Sequence, residues 1–157
     1  MYVAVPEKCL IPSQSDSVHE INSGNSTFSG APQPAGKQTF LITSGECTVT
    51  VDGDGKGGRN QEMLLAMIQE LKANPELNIR FSIVSMAFDG IEGNSPATGA
   101  IIDNQSLSLA KKKKLDVSKL LSDNNSYAFF NEMGDAITIG QTGTNVNDVY
   151  CLVIDSN

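Results

Sequence analysis

Four glycines fall within six residues, Gly53-Asp54-Gly55-Lys56-Gly57-Gly58, and Arg59-Asn60-Gln61-Glu62 follow directly. The segment comes after a short β-branched run and opens a stretch of helical periodicity. Glycine lets a backbone come close to a ligand, and the free N–H groups at a helix start favour an anion. Arg59 adds a permanent charge whose planar donors suit a carboxylate or phosphate. Gly57, Gly58, Arg59 and Asn60 are therefore a candidate anion-binding set. The opposing reading is a glycine turn between strand and helix with a surface arginine. Gly53, Gly55 and Gly58 satisfy G-x-G-x-x-G literally, but the segment follows short strands rather than opening a βαβ unit, and a lone match is weak. Lys56 precedes glycine instead of Ser or Thr, which excludes a Walker A loop.

Two further loops carry polar chemistry. Phe88-Asp89-Gly90-Ile91-Glu92-Gly93-Asn94-Ser95-Pro96 follows an apolar run, the carboxyl end of a strand where open α/β sheets bind ligands. Asp89 or Glu92 could hold magnesium or position a hydroxyl, although Asp and Gly are also ordinary turn residues. Gly140-Gln141-Thr142-Gly143-Thr144-Asn145-Val146-Asn147-Asp148 is dense in hydroxyls and amides that could line a pocket. Lys111 to Lys114 reads as a solvated helix end, because cations complement a helix C-terminus.

The elements that must position these loops follow from periodicity. Phe40–Thr43, Cys47–Val51, Ile79–Phe88, Ala136–Ile139 and Val149–Ile154 read as strands. Met63, Leu64, Met67, Ile68 and Leu71 share one helical face, and Asn74-Pro75 stops that helix. Asn104–Lys114 and Val117–Leu121 read as helices, as does Tyr127–Met133 with Ser126 as cap and Gly134 as stop. Strands and helices alternate, so the expected fold is α/β: a single layered domain over residues 38–157, with a mixed, Rossmann-like sheet flanked by helices. Residues 1–37 are rich in Ser, Pro, Gly and Asn and read as a flexible tail or linker.

The 157 residues suffice for one domain with a core. Eleven basic against eighteen acidic side chains give a net charge of −7, which excludes a global basic field for nucleic acid. No apolar run is long enough for a transmembrane helix. Three cysteines without paired spacing suit free thiols in a reducing, cytoplasmic setting. The one histidine, His19, lies in the polar N-terminal stretch, which argues against Ser-His-Asp or Cys-His catalysis.

Ser44-Gly45-Glu46, GKGGRNQE, FDGIEGNSPATGA, NNSYAFF and GQTGTNVNDV occur in the order found in the C-terminal MOFRL domain of the glycerate 2-kinases, and the chain resembles that domain over roughly residues 38–155. The resemblance implies ATP-dependent phosphorylation of D-glycerate to 2-phosphoglycerate with Mg2+, in a cleft between this domain and a larger N-terminal one. It implies catalytic roles for Arg59 and Asp89 and places Gly57, Gly58, Asn60, Thr144, Asn145 and Asn147 at the substrate. Three positions depart from the family pattern: Ser44 and Phe88 replace a glycine and a small hydroxyl residue, and Pro96 stands where many members carry an acidic one. The N-terminal kinase domain and its phosphate-binding lysine have no counterpart in this chain. The expectation is an incomplete enzyme that needs that domain in cis or trans. The alternative is a non-catalytic binding or interaction module derived from the kinase, and a third is a nucleotide-binding enzyme of another type.

Overall fold

The computed structural model describes residues 9–10, 19–22, 37–76 and 79–156. Strands β1 (Cys9–Leu10), β2 (His19–Asn22), β3 (Lys37–Gly45) and β4 (Thr48–Val49) precede helix α1 (Arg59–Ala73). Then come β5 (Arg80–Ala87), β6 (Gly99–Asp103), α2 (Ser106–Lys112), α3 (Val117–Ser122), α4 (Ser126–Met133), β7 (Ala136–Ile137) and β8 (Asp148–Ser156). A six-stranded sheet runs β2-β3-β8-β5-β6-β7, and β1 pairs separately with β4.

Buried and partly exposed residues alternate along β5: Phe81, Ile83, Ser85 and Ala87 are buried and lie towards the helices. Cross-strand register puts Ala100 and Ile102 of β6 in the same layer, where Leu64, Leu65 and Ile68 of α1 and Phe129 and Phe130 of α4 close the core. Burying these side chains drives the layering. Asn74 and Pro75 stop α1 as expected, with the Asn74 carboxamide donating to the Glu70 carbonyl. Gly134 ends α4 in the left-handed region at φ 83.

The α/β layering is as expected, but every pairing among the described strands is antiparallel rather than mixed. Alternating strand and helix segments suggest crossovers and parallel neighbours, whereas here β5 and β6 form a hairpin and β8 inserts between β3 and β5. Strand β6 had no sequence signal, because Gly-Ala-Ile-Ile-Asp is short and does not alternate. Ser126 is the first helical residue rather than the cap; its N–H donates to Glu62 Oε1. Within the stretch read as tail, Cys9–Leu10 and His19–Asn22 pair as strands, the latter along the free edge of β3. An edge strand offers unpaired N–H and C=O groups to any extended segment, so such pairing needs no apolar content. The rest of residues 1–36 lies outside the described residues.

Candidate functional site

One row of the sheet organises the site. Gly45 of β3, Asp148 of β8 and Ala87 of β5 are cross-strand neighbours, so the three strands bring their loops to the same end. The chain after Gly45, the 88–98 loop and the approach to β8 all meet there. Helix α1 starts beside them, because Arg59, its first residue, is bonded to Asp148.

Arg59 Nε donates to Asp148 Oδ2 at 2.5 Å and Nη2 to Oδ1 at 2.7 Å, a two-point contact across 89 positions of sequence. Asp148 is fully buried, whereas the Arg59 side chain is 25% exposed. Arg59 Nη2 also lies 2.9 Å from Glu46 Oε1, on a side chain that is 52% exposed. The hydrogen bonds to Asp148 hold the guanidinium pKa above its ordinary value against the opposing effect of burial, so Arg59 stays charged. Sequence reasoning singled out Arg59 but neither of its carboxylate partners. Asp148 carried one faint signal, an acid directly before an apolar strand.

The helix start is not free for an external anion. Asn60 N–H donates to Glu92 Oε2 at 2.8 Å, and Gln61 N–H to Glu92 Oε1 at 3.0 Å. Gln61 Nε2 adds a third bond to Oε1 at 2.8 Å. Gly58 offers no capping side chain, and the carboxylate of Glu92, 32 positions beyond Asn60, takes that place. Gly58 and Gly93 serve the same packing. A Cβ on Gly58 would lie 2.6 Å from Glu92 Cγ, and one on Gly93 (φ 56) would strike the Gly57 carbonyl. Asn94 completes the lock, its Oδ1 accepting from Gly57 N–H at 2.9 Å and its N–H donating to the Gly57 carbonyl at 3.1 Å. Close approach is thus to the protein's own chain, to Glu92 at Gly58 and to the 123–126 segment at Gly53, Gly55 and Gly57, a different reason for the glycines from the one expected.

Asn60 is likewise not a surface ligand group. It is fully buried, and its Oδ1 accepts from the Ser85 hydroxyl beneath the sheet end. Gly57, Gly58 and Arg59 line a cavity of about 510 Å³ with Cys47, Glu62 and Asn94. Cys47 is buried, and its Sγ accepts from the Tyr150 hydroxyl at 3.1 Å. Burial first, and then Cys47, pushes the Tyr150 hydroxyl up from its ordinary pKa.

A second cavity, of about 360 Å³, gathers Asp89, Ile91, Gln141, Gly143, Thr144 and Asn145. Two expected site loops therefore do meet. Thr142 Oγ1 donates to the Phe88 carbonyl at 2.6 Å, and Thr142 N–H to the Asp89 carbonyl at 3.0 Å. Asn147 joins through its backbone, at φ 69, with its carbonyl accepting from Phe88 N–H at 3.3 Å. The Arg59 and Asp89 sides are separate cavities flanking the Gly45–Asp148–Ala87 row.

The two metal candidates part here. Glu92 is 2% exposed and both its oxygens are bonded to α1, so it does not fit a magnesium site. Asp89 lines a cavity and, among the described residues, accepts the Ile91 N–H at 3.3 Å, with hydroxyl and amide neighbours around it. That suits Mg2+, which commonly takes one or two protein carboxylates together with substrate phosphates and water. Among the described residues no group of three or more His, Cys, Asp or Glu gathers around a common point. Also among them, no helix is long and apolar enough to cross a membrane.

Residues 39–148 match the MOFRL family. The chain is 34% identical over 125 residues to a glycerate 2-kinase of Pyrococcus horikoshii, covering 79% of this chain and 27% of that protein. It is 38% identical over 117 residues to a glycerate kinase of Mus musculus, covering 73% and 22%. A crystal structure of a glycerate kinase from Thermotoga maritima superposes with a TM-score of 0.66 at 35% identity, over 73% of this chain and 27% of that one. The chain spans about a quarter of the length of these relatives.

Proposed function

The chain belongs to the MOFRL family, and from that premise we propose that it forms one wall of a glycerate 2-kinase site whose other wall lies outside these residues. The reaction is transfer of the ATP γ-phosphoryl group to the 2-hydroxyl of D-glycerate, giving 2-phosphoglycerate. The observation that carries the reading is the sheet-end row with a charged arginine on one side and a cavity-lining carboxylate among hydroxyls and amides on the other. Phosphoryl transfer needs positioning and charge stabilisation more than covalent chemistry, and such groups supply both.

In this reading Arg59 keeps Asp148 as a permanent partner and exchanges Glu46 for an incoming carboxylate or phosphate. A half-exposed ion pair is worth roughly 0–1 kcal/mol, so Glu46 yields easily where a buried two-point contact does not. Asp89 would hold magnesium brought with ATP, and Thr144 and Asn145 would hydrogen-bond the substrate beside it. Mg2+ supplies neutralisation of phosphate charge.

A second reading, a MOFRL module that binds or docks without turnover, is favoured by one observation: Arg59 and the α1 N-terminus are both satisfied by the chain's own carboxylates. A coupled ATP and D-glycerate assay separates the two. The chain alone is expected to be inactive, and mixing it with the preceding segment of a related glycerate kinase is expected to restore turnover. No turnover in the mixture, with both parts folded and associated, would favour the module. Turnover on the order of 1–100 per second from the chain alone would refute the one-wall picture.

A further inference from the structure

We propose that Glu92 is a positioning residue that holds the Arg59 and Asp89 halves of the site at a fixed separation. The inference rests on the kinase reading for its functional meaning, and on geometry alone for its existence. Asp89 lies three residues before Glu92 on the same loop, and Arg59 lies one residue before Asn60 on α1. The Glu92 carboxylate accepts from Asn60 N–H, Gln61 N–H and Gln61 Nε2, so the helix start carrying Arg59 is bolted to the loop carrying Asp89. The loop end is fixed as well. Glu92 N–H donates to the Ala97 carbonyl at 2.9 Å, and Ser95 Oγ accepts from Gln61 Nε2 at 2.9 Å.

A side-chain cap from Ser or Thr at Gly58 would satisfy one helix N–H but tie α1 to nothing else. The distant carboxylate replaces that local cap with a cross-link, and Gly58 and Gly93 remove the side chains that would block it. The cross-link is 2% exposed, so water does not compete for it. It also stands in the field of Arg59, which Glu92 helps to keep protonated. A misplacement of about 1 Å in a catalytic group can cost on the order of a hundredfold in rate, so a fixed separation has functional consequence.

The test needs no catalysis, so its failure is distinct from failure of the kinase reading. The chain contains only two arginines, Arg59 and Arg80, and their Nε–H resonances in the 15N-labelled full chain are separately assignable. Arg80, 61% exposed, serves as control. In Glu92→Gln the Arg59 Nε–H is expected to exchange at least tenfold faster and the Asp89 amide resonance to shift. Amides of Leu64 to Ile68 in the core of α1 should stay within about twofold of wild type. If either the Arg59 or the Asp89 signal remains as in wild type, the proposal is overturned. It is also overturned if both change only in step with the core amides, because Glu92 is then a stabilising residue and nothing more. Should Glu92→Gln fail to fold, Gln61→Met removes the side-chain donor and leaves both backbone bonds. A smaller acceleration at Arg59 Nε–H with a shift at Asp89 supports the cross-link, and no change in either refutes it.

Discussion

Asp148 and Glu46 both pair with Arg59, and replacing each by its amide should have unequal consequences. Asp148→Asn keeps the shape but turns one acceptor oxygen into a donor facing Arg59. Two charge-assisted hydrogen bonds are disturbed, each worth about 1.5–3 kcal/mol. Breaking a buried ion pair by removing one partner costs roughly 3–5 kcal/mol when the other is stranded away from water. Arg59 is not stranded: its side chain is 25% exposed and Glu46 remains beside it. The expected loss is therefore discounted to about 2–3 kcal/mol, or roughly 6–15 °C in Tm for a domain of this size. Glu46→Gln removes a half-exposed pair and should cost less than about 1 kcal/mol. Urea unfolding followed by far-UV circular dichroism measures both, since the chain has no tryptophan. Asp148→Asn within about 0.5 kcal/mol of wild type would refute the buried-anchor argument. Equal losses in the two variants would refute the distinction between permanent and exchangeable partners.

Gly93→Ala must take a φ of 56 and place its Cβ against the Gly57 carbonyl, so a loss above about 2 kcal/mol is expected; Gly143→Ala (φ 75, open space) should cost only about 1–2 kcal/mol, and equal unfolding midpoints would dismiss the interlock. Burial raises the Glu92 pKa against the opposing bonds from Gln61 and Asn60. The unfolded chain therefore releases that proton first, and this group's contribution to stability is full below about pH 4.5 and declines as pH rises through the raised value. Stability of wild type minus Glu92→Gln, followed from pH 4 upward, should fall with pH; a difference that grows instead would mean the hydrogen bonds outweigh burial. Arg59→Lys should keep the fold but lose the two-point contact, weakening glycerate kinase activity of the complemented enzyme at least tenfold in kcat/KM, about 1.4 kcal/mol; wild-type kinetics would return Arg59 to a structural role. Deleting residues 1–36 removes β1 and β2 but leaves all nine β3–β8 pairs, so proteolysis and circular dichroism should find a folded domain starting near Lys37, and an unfolded product would make the segment part of the fold.

Local periodicity and backbone chemistry made much of this protein legible in its sequence. The apolar face of α1, its stop at Asn74-Pro75, the left-handed Gly134 and the apolar runs of β5 and β8 depend on neighbours a few residues away, and those neighbours are written in order. The ordered motifs also pointed to the family, and to Arg59 and Asp89 as the residues worth following. Strand order and direction were not legible, because period-two alternation is the same in parallel and antiparallel sheets. Nor were the partners of the charged groups. Glycine before an arginine at a helix start predicts room for an anion, but whether that anion is a ligand or Glu92 depends on a loop 32 positions away. Only the register that sets Gly45, Asp148 and Ala87 side by side decided that the Arg59 fork closes on a buried aspartate, because a two-point contact needs both side chains within about 3 Å, a condition that only the folded sheet meets.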